Sequence, residues 1–183
     1  MTGRSAITNI LVTGPPGCGK STLVMRLTGS LPVTAGGFTT AEIRSSSGSR
    51  EGFKITTLYG TAGILAHKNL RSGPRVGRYR VNIEDLETIG AAEIEEAIEG
   101  ADIRLIVVDE IARMELFSER FRRAVLRALD SPKPLLGTIQ IRRDPFLDAI
   151  RSRSDTIIIH MSPGNRSGAE DETTAHLRRL LCK

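Results

Sequence analysis

The chain contains 183 residues, of which 39% are hydrophobic and 26% are charged, and its formal net charge is +5. This length predicts a single domain, residues 1–183, that can bury a sizeable core. No apolar run approaches the ~20 residues that a membrane-spanning helix needs, and no signal-peptide pattern begins the chain. Two cysteines are too few for a disulfide framework. The sequence therefore excludes membrane proteins and disulfide-rich secreted proteins and favours a cytoplasmic protein.

A glycine-rich loop lies between the first predicted strand and the first predicted helix. Residues 7–13 are apolar and β-branched, as in a buried strand, and residues 21–27 favour a helix that ends near Gly29. The segment that joins them fits the pattern G-x-x-x-x-G-K-[ST] at every fixed position, with the residues Gly14, Pro15, Pro16, Gly17, Cys18, Gly19, Lys20, Ser21 and Thr22. Because strand, loop and helix follow in the order that this motif requires, the sequence predicts a phosphate-binding loop.

The residue types of this loop explain the chemistry that we expect of it. Glycines allow the backbone to wrap closely around a phosphate, and the amide groups then converge on the anion at a helix N-terminus. Lys20 supplies a positive charge for the β- and γ-phosphates, the Ser21 hydroxyl is a hard oxygen ligand for Mg²⁺, and Thr22 is expected to reach the α-phosphate. The sequence therefore predicts that the chain binds a nucleoside triphosphate.

The segment after the first helix is predicted to add an antiparallel hairpin. Residues 38–44 and 52–59 have the composition and alternation of strands, and a serine-rich turn separates them. Residues 60–78 are basic and rich in glycine, and we predict a loop near the nucleotide, followed by a short strand at 79–81.

The rest of the chain alternates between helices and apolar strands. Strands are predicted at 103–108, 134–141 and 156–160, and helices at 83–99, 118–129, 145–151 and 170–181. We interpret the acidic residues of the helix at 83–99 and the row of arginines on the helix at 118–129 as solvated faces. The pattern predicts an α/β fold of the three-layer, RecA-like P-loop type, with a mostly parallel central sheet between helices and the hairpin added after the first strand–helix unit.

Two acidic residues follow the apolar strand at 103–108. Asp109 is placed to hold Mg²⁺ through a water molecule, since this ion keeps much of its hydration shell. Glu110 is placed to orient and deprotonate a water molecule that attacks the γ-phosphorus. Asp109 and Glu110 thus complete a predicted magnesium and hydrolysis site.

Several motifs together resemble one family. They are the loop at 14–22, G-G-F-T-T at 36–40 with Arg44, G-F-K-I at 52–55, R-V-G-R-Y at 75–79, V-D-E-I-A-R-M-E-L at 108–116, G-T-I at 137–139 and Asn165-Arg166. The chain is similar over nearly its full length to the P-loop nucleoside-triphosphatases that include enzymes of thermophiles and the cancer-related nucleoside-triphosphatase. The resemblance implies slow, Mg²⁺-dependent hydrolysis of ATP, GTP and other triphosphates to diphosphates and phosphate, with Glu110 activating the water. Ala112 departs from the family pattern, which has glycine at that position.

Further candidates lie on the loops that follow the predicted strands. An arginine stabilises the charge that develops during phosphoryl transfer, and we favour Arg78 and Arg113 for this role. Gln140 follows the G-T-I segment and is a candidate sensor of the γ-phosphate. Asn165 and Arg166 follow the last strand, where a nucleobase commonly rests in such folds.

Two other functions remain open from the sequence. A nucleoside or nucleotide kinase shares the loop and the fold, and the basic segment 68–80 could serve as its lid. A nucleotide-switched module that binds RNA would suit the positive charge, but the chain has only 4% aromatic residues and no tryptophan, so nucleic acid is not the expected partner. We expect a monomer.

Overall fold

The computed structural model describes residues 7–182, and its centre is one sheet of nine strands. In chain order the strands are β1 (Asn9–Thr13), β2 (Ala35–Arg44), β3 (Arg50–Thr57), β4 (Ala62–His67), β5 (Arg75–Val76), β6 (Tyr79–Val81), β7 (Leu105–Ile111), β8 (Leu135–Ile139) and β9 (Thr156–His160). Their order across the sheet is β5-β6-β4-β3-β2-β7-β8-β1-β9.

Helices connect the strands and cover the sheet. They are α1 (Lys20–Ser30), α2 (Ile83–Asp85), α3 (Ala92–Glu99), α4 (Glu119–Asp130), α5 (Pro145–Arg151) and α6 (Arg166–Leu181). A π-helical turn (Leu86–Ala91) joins α2 to α3, and a 3₁₀ turn (Glu115–Phe117) precedes α4. Within residues 7–182, no helix combines the length and the apolar composition needed to cross a bilayer.

The sheet has a parallel half and an antiparallel half. Strands β2, β7, β8, β1 and β9 run parallel to their neighbours, as the alternation of strands and helices predicts. The hairpin of β2 and β3 is confirmed, and β4, β6 and β5 extend it with antiparallel pairing. The antiparallel half is therefore larger than a single hairpin.

The prediction of a loop over residues 60–78 was wrong, because this segment contains β4 and β5. The sequence of β4 has small residues and no regular alternation of apolar and polar types, so it carries no strand signal of its own. Its backbone is ordered by pairing with β3 on one side and β6 on the other. Strand formation here depends on neighbours rather than on local composition.

The two faces of the sheet bury separate apolar layers. Alternate residues of β1 point in opposite directions, so that Ile10 packs with α1 and α6 while Leu11 packs with the layer of α3, α4 and α5. In that second layer the rings of Phe38 and Phe121 pack edge to face, with centroids 6.0 Å apart. These layers give the predicted three-layer α/β fold and fix the strand ends that carry the site.

The acidic helix and the arginine row face each other rather than only solvent. Arg120 of α4 makes two hydrogen bonds to the Glu95 carboxylate of α3, and Arg127 of α4 bonds Glu99. Glu93 is buried and accepts a hydrogen bond from the Gly37 amide at 3.1 Å. The interpretation of solvated faces therefore fits the exposed Arg127 and Glu99, and it was wrong for the buried Glu93. The spacing of charges along each helix does not reveal that the two helices pack side by side.

Candidate active site

The loop after β1 has the shape of a phosphate cradle. Gly14 has a φ of +154°, and a Cβ at this position would lie 2.0 Å from the Met161 carbonyl oxygen. Only glycine fits so close an approach. Lys20, the first residue of α1, turns its ammonium over the loop and donates to the carbonyl oxygens of Gly14 at 3.1 Å and Pro15 at 3.2 Å. Its charge is thus held where the loop amides and the helix N-terminus converge.

Asp109 lies at the centre of the polar network beneath the loop. The strand β7 continues to Ile111, so Asp109 is part of the strand and its side chain is completely buried. Its Oδ1 accepts hydrogen bonds from Ser21 Oγ at 3.0 Å and from Thr138 Oγ1 at 2.6 Å. Burial raises the pKa of Asp109, and the bonds from Thr138 and Ser21 act in the opposite direction. The structure therefore brings Ser21 and Asp109 together, as the motif spacing predicts.

Thr138 is a member of this network to which sequence reasoning gave no role. Thr138 lies on β8, which runs parallel to β7. Val108 pairs with Gly137, and the residues that follow them, Asp109 and Thr138, are joined by the hydrogen bond described above. The G-T-I segment at 137–139 belongs to the family motifs, but the motif does not indicate what Thr138 contacts. A threonine inside an otherwise apolar buried strand was the available signal, because a buried hydroxyl needs a partner.

Glu110, the next residue of β7, also lies beside the phosphate loop. Its side chain is 31% exposed, and its Oε1 lies 4.0 Å from Lys20 Nζ. Burial raises the pKa of Glu110, the Lys20 ammonium lowers it, and the neighbouring Asp109 carboxylate raises it again. A carboxylate with a raised pKa that borders a cleft suits the role of proton acceptor.

A cavity of about 380 Å³ opens in front of the loop and Glu110. One end is formed by the phosphate loop and the other by the antiparallel half of the sheet. It is lined by Pro16, Gly17, Lys20, Ser21, Thr40, Ala41, Glu42, Arg50, Phe53, Leu65, Val76, Glu110, Ala112, Arg113, Met114, Glu115, Gln140 and Arg142. The predicted residues Lys20, Ser21, Glu110, Arg113 and Gln140 thus share one cavity.

The two arginines favoured from the sequence lie in different places. Arg113 is exposed at the cavity, and its backbone N–H donates to Gln140 Oε1 at 3.2 Å. Arg78 lies in the turn between β5 and β6, where its Nε donates to the Tyr79 hydroxyl at 3.0 Å and its guanidinium also bonds the Arg50 carbonyl oxygen. Arg78 is not among the residues that line the cavity.

The residues predicted to contact the base lie outside the cavity, and one of them adjoins the phosphate loop. Asn165 closes the turn before α6, since it accepts from the Ser162 amide at 2.7 Å and donates to the His160 carbonyl oxygen at 2.9 Å. Arg166 begins α6, and its Nε lies 3.8 Å from the position that a Cβ on Gly19 would take. Thr22 is exposed in the first turn of α1. Neither Asn165 nor Arg166 lines the cavity.

Glu115 is a further acid of the cavity wall that sequence reasoning missed. Its residue is 3% exposed, and its buried Oε2 has no hydrogen-bond partner within residues 7–182. Burial and the nearby Glu110 carboxylate raise the pKa of Glu115 well above its ordinary value. An acid between the apolar residues Met114 and Leu116 was the signal in the sequence.

The site suits a divalent cation with few protein ligands. Asp109 Oδ2 is buried and without a hydrogen-bond partner of ordinary geometry, and Ser21 Oγ lies against the other carboxylate oxygen. Both are hard oxygen donors of the kind that Mg²⁺ prefers. Across residues 7–182, no group of three or more His, Cys, Asp or Glu side chains could hold a metal ion.

Ala112 takes the glycine position of the family motif without backbone strain. It is buried at the cavity wall, and within the described residues only glycines have positive φ angles. The backbone at this position is therefore one that alanine adopts readily.

Comparisons with known proteins identify the family of this chain. A family model described as NTPase matches residues 9–174. A relative named nucleoside-triphosphatase THEP1 from Thermotoga sp. (strain RQ2) is 45% identical over 169 residues, which cover 92% of this chain and 95% of that protein. The protein of the same name from Thermofilum pendens is 43% identical over 184 residues, which cover 97% of this chain and 100% of that protein.

Two solved structures are also similar. The crystal structure of THEP1 from the hyperthermophile Aquifex aeolicus superposes with a TM-score of 0.84 at 36% identity, covering 93% of this chain and 99% of that one. The solution structure of a human cancer-related nucleoside triphosphatase gives a TM-score of 0.75 at 32% identity, covering 96% of this chain and 98% of that one. With the family model matched over most of its length, this chain belongs to the NTPase family of P-loop nucleoside-triphosphatases.

Proposed function

We propose that this protein is a Mg²⁺-dependent nucleoside-triphosphatase that hydrolyses ATP, GTP and other triphosphates to the diphosphate and phosphate. Its family identifies it as an enzyme that acts on nucleoside triphosphates. The observation that carries the detailed proposal is the position of Glu110, which borders the same cavity as the phosphate loop and lies 4.0 Å from Lys20. A proton acceptor thus stands next to the charge that would hold the γ-phosphate.

Binding of the triphosphate follows from the loop. We expect the backbone N–H groups of Gly17, Gly19, Lys20 and Ser21 to point toward the anion, while the N-terminus of α1 adds partial positive charge. Lys20 Nζ exchanges its bonds to the Gly14 and Pro15 carbonyl oxygens for bonds to phosphate oxygens. Because all these contacts go to phosphate, they do not distinguish one base from another, which favours a broad substrate range.

Hydrolysis requires a water molecule placed in line with the leaving diphosphate. Glu110 accepts a hydrogen bond from this water and takes its proton as the oxygen bonds to the γ-phosphorus, while the bond from that phosphorus to the β,γ-bridging oxygen breaks. Lys20 and Arg113 offset the charge that develops on the transferred group. We favour Arg113 over Arg78 for this role because only Arg113 lines the cavity.

Mg²⁺ would be held by Ser21 directly and by Asp109 through water, together with phosphate oxygens. When bound, the ion neutralises negative charge on the β- and γ-phosphates. Thr138 fixes Asp109 in the orientation that serves this purpose, through the hydrogen bond of 2.6 Å. Asn165 and Arg166 are proposed to lie beside the base and sugar, because Arg166 adjoins Gly19 and does not line the cavity.

The proposal is tested by phosphate release from a panel of triphosphates with Mg²⁺ and with no phosphoryl acceptor. We expect Glu110→Gln to lower the rate about 10²-fold with little change in nucleotide binding, as for loss of a general base. Lys20→Ala should weaken binding as well as turnover. Glu119→Gln is the matched control, since Glu119 has a side-chain exposure of 82% on α4 and does not line the cavity. Full activity of Glu110→Gln, or of wild type with Mg²⁺ chelated, would contradict the proposal.

A further inference from the structure

The cavity extends well beyond the space that an attacking water needs. Its volume is about 380 Å³, which lies within the usual range for small-molecule sites of about 300–1,000 Å³. A water molecule occupies only about 30 Å³ in the liquid. The loop end of the cavity suffices for the γ-phosphate, and the remainder reaches onto strands β2, β3, β4 and β5.

The far wall of the cavity has the composition of a site for a flat organic molecule. Phe53 and Val76 give it an apolar surface, and Leu65, which is only 2% exposed, also borders it. The Phe53 ring is held edge to face against Tyr79 at 5.3 Å, so its orientation is fixed. Arg50 lies over the Phe53 ring at 5.4 Å and is paired with Glu42, which leaves this wall nearly neutral. An apolar wall with a fixed ring and a guanidinium suits a planar heterocycle.

Glu115 supplies a buried polar group at the same cavity. Its Oε2 has no hydrogen-bond partner within the described residues, although the residue is only 3% exposed. Native proteins rarely leave such an atom without a partner, because the loss of solvation is not offset. Burial and the nearby Glu110 carboxylate raise the pKa of Glu115, so a ligand group that hydrogen-bonds this carboxyl would satisfy it.

We propose that the far part of this cavity binds a nucleoside, free or as its monophosphate, and that a hydroxyl of this ligand accepts the γ-phosphoryl group in place of water. The proposal rests on the proposed function, in which the phosphate loop presents the γ-phosphorus to the cavity. The base packs against Phe53 and Val76, and Glu115 hydrogen-bonds the ligand. The apolar wall, the fixed ring and the unpartnered buried acid all lie on the cavity that Glu110 borders.

The chemistry differs from hydrolysis only in the nucleophile. The hydroxyl oxygen of the acceptor bonds to the γ-phosphorus, and the bond from that phosphorus to the β,γ-bridging oxygen breaks. The nucleoside diphosphate leaves with that electron pair, and the hydroxyl proton passes to the Glu110 carboxylate. One triphosphate and one acceptor thus give one diphosphate and one phosphorylated acceptor.

The experiment incubates the full chain with γ-labelled ATP and Mg²⁺, adding each common nucleoside or nucleoside monophosphate in turn. Labelled acceptor and labelled inorganic phosphate are separated by chromatography. We expect at least one acceptor to become labelled while phosphate release falls correspondingly, and the nucleoside and monophosphate arms identify which form is used. Phosphate release that continues unchanged with no labelled acceptor would overturn this inference and leave the proposed hydrolysis intact. An acceptor that inhibits phosphate release without becoming labelled would also overturn it.

Variants of the far wall separate the two reactions. We expect Phe53→Ala to lower acceptor labelling at least tenfold relative to phosphate release. Phe53→Ala also loses the contact with Tyr79, so a second variant is needed. Val76→Lys places a charge on the apolar wall, and we expect it to lower the ratio of acceptor labelling to phosphate release by the same factor. Tyr59→Ala is the aromatic control, since Tyr59 is 65% exposed and lies outside the cavity. An unchanged ratio in both wall variants would refute the assigned site.

Discussion

The hydroxyl of Thr138 is predicted to matter both for stability and for turnover. It donates a hydrogen bond of 2.6 Å to Asp109 Oδ1, and both residues are completely buried. Thr138→Val keeps the shape of the side chain and removes the donor. A hydrogen bond to a charged group contributes about 1.5–3 kcal/mol, so we expect the free energy of unfolding to fall by about 2 kcal/mol. For a chain of this size, this corresponds to a lower Tm by about 4–8 °C.

The same change should slow hydrolysis. Without Thr138, Asp109 Oδ1 retains only the bond from Ser21 at 3.0 Å, so the orientation of its carboxylate is less well fixed. We expect kcat/KM to fall about tenfold, which corresponds to about 1.4 kcal/mol of transition-state stabilisation.

Urea unfolding and phosphate release at pH 8 measure the two effects, and Thr173→Val is the matched control. Thr173 is also fully buried, but its hydroxyl donates to the Ala169 carbonyl oxygen within α6. We expect this control to lose about 1 kcal/mol of stability or less and no activity. If Thr138→Val is within about 0.5 kcal/mol of wild type and fully active, the argument that Thr138 orients Asp109 is refuted.

Two further predictions concern groups at the cavity and on the acidic helix. Arg113→Ala should lower kcat by about 10²-fold or more. Arg78→Ala should leave kcat near wild type, because the Arg78 guanidinium is bound to Tyr79 and Arg50. A larger loss of kcat for Arg78→Ala than for Arg113→Ala in steady-state assays would assign the catalytic role to Arg78 instead. Burial raises the pKa of Glu93, so the native state holds its proton more tightly than the unfolded chain, and stability is lost as pH rises from the ordinary value through the raised one. In urea titrations between pH 4 and 8, the stability of Glu93→Gln relative to wild type should therefore rise as pH increases. A difference in free energy of unfolding that stays the same at every pH would contradict this prediction.

The sequence was most informative where function depends on residues that are close along the chain. The phosphate loop needs a strand, three glycines, a lysine and a helix within a short segment, and these features are readable locally. Asp109 could be placed because an apolar strand before it predicts a parallel sheet, whose strand ends meet at one edge. The structure then brings Ser21 and Asp109 to 3.0 Å although 88 positions separate them.

The parts that could not be predicted depend on how distant segments pack. Residues 62–67 form a strand because β3 and β6 flank them, and their composition does not favour one. Glu93 looks like any acid of an exposed helix until β2 brings the Gly37 amide to it. Arg78 looks like a free basic residue of a loop until the same sheet places Tyr79 and Arg50 beside it. In each case the partner lies on another element, and local patterns contain no information about it.

The division of the sheet has a consequence for specificity. The parallel half supplies the loop, Asp109 and Thr138, all of which act on phosphate and metal and are indifferent to what else is bound. The antiparallel half supplies Phe53, Leu65 and Val76, which line the part of the cavity away from the phosphate loop. Changes in the first half should therefore alter turnover with every triphosphate alike, whereas changes in the second should alter which nucleophile reaches the γ-phosphorus. Glu110 and Glu115 line the cavity between the two halves. Proton transfer to Glu110 therefore depends both on the position of the γ-phosphate and on which acceptor is bound.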